Sequence, residues 1–214
     1  MGRAVKDFVM NATKKVSTRG RPRAFDKEEA LAKAQALFHA KGYDALSVAD
    51  LTEAIGINPP SFYAAFGSKA ELYGAVLKRY EEKEGLDISG ALAPDRPLDE
   101  GVATLLRQAA DNYGSGAAPG CMVIEGARGT ADQQACSQAR RMLDMSRAVI
   151  HAAIAGREPE RAELITDYIM MTMAGLSASA RNGVPTERLR AIAAIASTQL
   201  SHHIEGIAPK GTKP

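Results

Sequence analysis

Cysteine is scarce in this chain of 214 residues, and the two present, Cys121 and Cys136, cannot build a disulfide framework. Neither has a histidine or a second cysteine at a zinc-ligand spacing. The histidines offer no ligand pair either: His39 and His151 stand alone, and the adjacent His202 and His203 would point to different faces of a helix. No metal is expected. Long apolar runs are also missing. The uncharged stretch from Tyr168 to Ala180 falls short of the ~18–20 residues that a membrane span needs. Phe8-Val9-Met10, after Lys6 and Asp7, is too short for a signal-peptide core. A cytoplasmic protein with no membrane partner is the expectation. Catalytic patterns are absent as well: no nucleophile is paired with a base, and no carboxylates are paired in a motif. Gly126-Ala127-Arg128-Gly129 is followed by no Gly-Lys-Ser/Thr and so is no phosphate loop. Neither an enzyme nor a cofactor is expected.

With 45% apolar and 24% charged residues the composition is that of an ordinary globular protein. The net charge of +2 hides an asymmetry: residues 1–80 carry 13 Lys/Arg against 8 Asp/Glu, and the remainder 14 against 17. Most of the excess lies at the start, where Arg3, Lys6, Lys14, Lys15, Arg19, Arg21 and Arg23 face the single acid Asp7. Residues 1–23 therefore read as a flexible basic arm, with a solubilising tail as the plainer alternative for residues 1–18. The Arg19-Gly20-Arg21-Pro22-Arg23 run puts three guanidinium groups on an extended ribbon, which suits the negative potential of an A·T-rich minor groove.

Alternating β-branched runs are nearly absent and Ala, Leu, Glu, Arg and Lys abound, so the fold class is all-α. Asp26 with Glu29 predicts a capping box for a first helix whose apolar face is Ala30, Ala34, Leu37 and Phe38, ending at Gly42. Ser47 with Asp50 opens a second, short helix, with Leu51, Ala54 and Ile55 inward and Gly56 as its stop. Asn58 caps a third, in which Pro59 and Pro60 occupy the first turn, where a missing N–H costs nothing. Phe62 and Phe66 point inward there, leaving Ser61, Tyr63 and Ala64 outward. Ser68 with Glu71 opens a fourth helix, reaching about Glu84.

Helix, short turn and short helix with a polar first turn is the shape of a helix-turn-helix. Its third helix would enter the major groove by its amino-terminal end, where exposed N–H groups favour phosphate and Asn58, Ser61 and Tyr63 reach base edges or backbone. Ser47 and Lys69, each at a helix start, would hold flanking phosphates. A small bundle with tight Gly and Ser turns is the plainer alternative on spacing alone.

The run Leu51-Thr52-Glu53-Ala54-Ile55-Gly56-Ile57-Asn58-Pro59-Pro60-Ser61-Phe62-Tyr63-Ala64-Ala65-Phe66-Gly67-Ser68-Lys69-Ala70-Glu71-Leu72 resembles the signature of TetR-type transcriptional repressors, as do Phe38, Gly42, Ser47 and the preceding Gly-Arg-Pro-Arg. The resemblance covers about residues 20–80 closely; beyond residue 85 it is one of helix count and length. It implies a homodimeric repressor that binds a palindromic double-stranded DNA operator and is released by a small-molecule effector held in its carboxy-terminal domain. Two departures are visible: Asn58 stands where Ser is common, and Pro59-Pro60 replaces a polar residue and a Gly, removing a phosphate-contacting side chain and a backbone N–H.

The resulting division is an arm (1–23), a helix-turn-helix domain (24–70), a helical ligand-binding and dimerisation domain (71–207) and a tail (208–214). Helices are expected over Pro97 to Tyr113, Asp132 to about Gly156, Arg161 to Arg181 and Pro185 to His203. Gly114 to Gly120 reads as a break, and Cys121 to Ile124 as a short apolar run interrupted by Gly126 to Gly129. The last two helices are rich in small residues, Ala174, Gly175, Ser177, Ala178 and Ala180 in one and Ala191, Ala193, Ala194 and Ala196 in the other, and apolar on more than one face, so packing against a symmetry mate would bury them; a pair of central helices within one monomer is the plainer alternative. Candidates for an effector cavity are Tyr113, Cys121, Met122, Met142, Met145, Tyr168 and Met171, with Met170 and Met173, because Met fits irregular apolar shapes and Tyr adds a polar anchor. Cys121 and Cys136 read as buried thiols or as a redox pair. An architectural DNA binder would lack such a cavity.

Overall fold

The structure, a computed structural model, describes residues 26–116 and 118–205. Arg19, Arg21 and Arg23 of the basic arm and the tail 208–214 lie outside the described residues. Every regular element among the described residues is helical.

The helix-turn-helix consists of α1 (Lys27–Lys41), α2 (Val48–Ile55) and α3 (Pro59–Phe66). Asp26 caps α1 by accepting from Glu28 N and Glu29 N, but the Glu29 carboxylate pairs with Lys33 at 2.9 Å, one turn on, instead of reaching back. Ser47 and Asp50 do form a reciprocal capping box. Gly56, with φ 82° and ψ 34°, closes α2 in the left-handed conformation that a side chain disfavours, and its N–H donates to Thr52 O. Phe62 is fully buried and Phe66 nearly so, against Phe38 and Leu51 in one core. Ala54 lies exposed, contrary to the inward face expected of it, because the short α2 turns only Leu51, Thr52 and Ile55 inward.

From the recognition unit α4 (Lys69–Glu84) runs on and packs against both α1 and α8, so it belongs to both halves of the chain. Beyond it lie α5 (Ile88–Ala91), α6 (Leu98–Gly114), α7 (Met122–Arg128), α8 (Gln133–Ala155), a 3-10 turn (Pro159–Arg161), α9 (Ala162–Arg181) and α10 (Thr186–Glu205). The sequence showed no sign of α5, a single turn capped by Asp87. Gly126 does not interrupt the run after Cys121: it sits inside α7, where an added Cβ would lie 2.3 Å from the Tyr73 hydroxyl. The absent side chain permits close packing there, which local pattern reading mistakes for a break. Helix α6 lies against α9 and α10, and α7 against α8, with Leu105, Leu106, Ile150, Ile165, Ile169 and Leu176 fully buried between them.

Candidate nucleic-acid interface and cavity

Helix α3 packs against α2 on one side and α4 on the other. Asn58, Pro59, Pro60, Ser61 and Ala64 are exposed on α3, and Tyr63 is 53% exposed. The Tyr63 ring meets Phe62 edge-on at 5.5 Å, so a buried neighbour steadies the exposed ring.

The amino terminus of α3 is not the open amide cluster expected of it. Pro59 and Pro60 have no N–H, Ser61 N donates to Asn58 Oδ1 at 2.9 Å, and Phe62 N donates to Asn58 O at 3.0 Å. Recognition from this end must therefore use side chains. Ser47 is likewise occupied: its hydroxyl accepts from Asp50 N and donates to Asp50 Oδ2 at 2.6 Å, and with the Ser47 N–H, 2.7 Å from the same oxygen, it holds the Asp50 carboxyl below its usual range. Lys69, half-buried, stands 3.9 Å from the centre of the Tyr43 ring. Burial lowers its affinity for a proton, opposed by Asp44, Asp132 and Asp50.

Residues 26–80 hold six Lys/Arg against seven Asp/Glu, so the basic character of the amino-terminal part comes from residues 1–25.

A cavity of about 90 Å³ opens among α4, α6, α7, α8 and α9. Of the candidates for an effector cavity, Tyr113, Cys121, Met142, Met170 and Met173 line it. The other candidates lie elsewhere. Met145 and Met171 are 62% and 74% exposed on the outer surface. Met122 faces a separate crevice beside Tyr43, and Tyr168 lines a groove between α9 and α10, its hydroxyl donating to Ala196 O at 2.9 Å. Tyr80 and Ser146, which no local motif marks, complete the wall, and the exposed carboxylates of Glu81 and Glu84 stand at its rim. Burial raises the Cys121 thiol above its usual range, against the pull of the Ile124 and Val123 amides and the Tyr80 and Tyr113 hydroxyls. Cys136 is buried too, and both cysteines are free thiols. No group of three His, Cys, Asp or Glu among the described residues is placed to hold a metal ion.

Two apolar stripes remain uncovered. On α9, Leu164 and Met171 lie seven residues apart with the half-buried Tyr168 between them; on α10, Ile192 and Ile195 lie three apart. Leu164 and Ile195 are 61% and 63% exposed, and a groove of about 300 Å³ runs between the helices.

Residues 30–76 match the profile of the tetR family of bacterial regulatory proteins. Along most of its length the chain is similar to BdcR of Escherichia coli (strain K12), an HTH-type transcriptional repressor, with 44% identity over 187 residues covering 87% of this chain and 94% of BdcR. The chain belongs to the TetR family. ComR of the same organism, also an HTH-type transcriptional repressor, is 29% identical over 187 residues, covering 82% of this chain and 89% of ComR. Among solved structures, the TetR-family regulator CifR, in a cysteine mutant complexed with a 26-bp operator, is similar at 34% identity with a TM-score of 0.71, covering 83% of this chain and 98% of CifR. The all-α fold, with an amino-terminal helix-turn-helix and a carboxy-terminal helical domain, is that of its family. No described helix is long and apolar enough to cross a membrane.

Proposed function

We propose that this TetR-family regulator is a ligand-responsive repressor: a cytoplasmic homodimer that reads a palindromic double-stranded operator and is released by a small apolar or amphipathic effector. The observation that carries the reading is the two-sidedness of α3, which buries Phe62 and Phe66 and exposes Ser61, Tyr63 and Ala64. Asn58, Pro59, Pro60, Ser61, Tyr63 and Ala64 are the groove-facing residues. Ser47 and Lys69 mark the flanking phosphates, and Arg19, Arg21 and Arg23 follow the minor groove. CifR, a similar TetR-family regulator complexed with its operator, supports operator binding by similarity. The uncovered stripes on α9 and α10 have the spacing of a helix-packing seam, and a twofold copy would bury both. Two recognition helices then fall about one DNA turn, roughly 34–36 Å, apart.

Tyr113, Cys121 and Met142, with Tyr80, Met170 and Met173, form the effector site. An architectural binder has no use for such a cavity. Its volume of about 90 Å³ is below the ~150 Å³ that a benzene ring occupies in an engineered cavity, so all but the smallest ligands must displace its walls. Unbranched Met side chains make that displacement feasible, and α4, which also packs against α1, is one of the walls.

Selection of random duplexes by the purified protein tests the reading. A palindromic consensus with half-sites about one turn apart is the expected result. Failure to enrich any sequence at moderate ionic strength would overturn it.

A further inference from the structure

A second junction between the two halves of the chain, besides the continuous α4, lies where the α1–α2 turn meets the α7–α8 connection. Two neighbouring side chains of the turn make it. The Tyr43 hydroxyl donates to Asp132 Oδ2 at 2.6 Å, and the Asp44 carboxylate accepts from Ala131 N at 3.1 and 3.2 Å. Asp132 is itself fixed, because its Oδ1 caps α8 by accepting from Gln134 N and Ala135 N, and Thr130 Oγ1 donates to its carbonyl. The Tyr43 ring is buried, stacked on Phe38 at 5.8 Å and edge-on to Tyr73 at 5.1 Å, so it cannot swing freely. Over it stands the ammonium of Lys69, the first residue of α4 after α3.

One rigid ring thus has its hydroxyl on the carboxy-terminal half and its face under a cation beside the recognition helix. The connection it grips joins two walls of the cavity: Val123 and Ile124 of α7, and Met142 and Ser146 of α8. Next to the grip the halves are not packed together, for a crevice of about 310 Å³ opens between Lys41, Gly42 and Ala45 on one side and Gly129 and Thr130 on the other. Across that space Arg181 of α9 donates to His39 O of α1 at 3.1 and 3.3 Å, and the hydrogen bonds of Tyr43 and Asp44 supply the linkage on the 129–132 side.

We propose that Tyr43 and Asp44 are positioning residues for DNA binding, a joint through which the 129–132 connection sets the place of Lys69 and the start of α4 against the operator. This rests on the DNA-binding reading above. Coupling at such a joint is reciprocal, so an occupied recognition face must in turn steady the connection. The effect is therefore readable without knowing the effector.

The experiment is hydrogen exchange of peptides spanning residues 129–136 in the full chain, with and without a duplex selected by the protein from a random pool. In the wild type, bound duplex slows exchange there by about 5-fold or more, the lower end of coupling between linked sites. Tyr43→Phe leaves the ring under Lys69 and does not touch Ala131. It binds duplex more weakly than the wild type and loses most of the slowing. Asp44→Ala loses it as well. Duplex bound by the wild type with no change at 129–136, or slowing kept in Tyr43→Phe, overturns the joint and leaves the DNA-binding reading standing. Failure to bind any duplex overturns both.

Discussion

Replacing Arg19, Arg21 and Arg23 together by alanine is the perturbation that most sharply tests how this protein holds DNA. The folded residues 26–80 carry one more acid than base, and α3 presents neither a cation nor a free amide at its start. Lys69 is the only cation among the candidate contacts on the folded unit, and it stands on the Tyr43 ring with three aspartates in its field. Most of the electrostatic attraction to phosphate must then come from the arm. In the proposed homodimer, three arginines in each of two protomers amount to roughly six phosphates, each worth about 0.9 in the slope of log K against log salt, so the triple variant should lose about five units of slope. Its binding would be weakened most at low salt and would converge towards the wild type as salt rises. Fluorescence anisotropy of a labelled selected duplex over a potassium chloride series reads this directly. A slope altered by less than about one unit would refute the reasoning and move the phosphate contacts onto the folded helices.

Other expectations concern single positions. Tyr63→Ala should weaken duplex binding by ~1–3 kcal/mol, as for a base contact, and leave the thermal midpoint nearly unchanged, because the side chain is exposed; equal binding removes Tyr63 from the face. Ile195→Glu puts a charge in the uncovered α10 stripe and should yield monomers in sedimentation, whereas a persisting dimer would place the interface elsewhere. Gly126→Ala forces a Cβ against the Tyr73 hydroxyl and the Ala139 methyl, at 2.3 and 3.0 Å, and should cost ~1–3 kcal/mol in urea denaturation; an unshifted midpoint would contradict the close packing of α7. Burial lowers the pKa of His39 below 6.5, with Arg181 adding to the shift and the Gly120 carbonyl, 3.0 Å from Nε2, opposing it. As pH falls below 6.5 towards the depressed folded value, the unfolded chain binds the extra proton and stability drops. His39→Gln should flatten that drop, and parallel pH profiles of the two proteins would sink the argument.

What the sequence by itself determined is whatever depends on neighbours within about one helical turn. Asp26, Ser47, Asn58, Ser68 and Asp132 cap helices because a side-chain oxygen reaches an amide two or three residues on, and such geometry is written in the local order of residues. The outward side of α3 followed in the same way from the four-residue spacing of Phe62 and Phe66. Only the tertiary structure decided which methionines line the cavity. Met142 and Met145 are neighbours on α8, and Met170 and Met171 on α9, yet in each pair one lines the cavity and the other faces outward. The azimuth of a whole helix against α4, α6 and α7 settles that, and no local pattern contains it. The same holds for Tyr43 with Asp132 and for Gly126 with Tyr73: their meaning comes from residues far away in the chain, brought close by the burial of one continuous core.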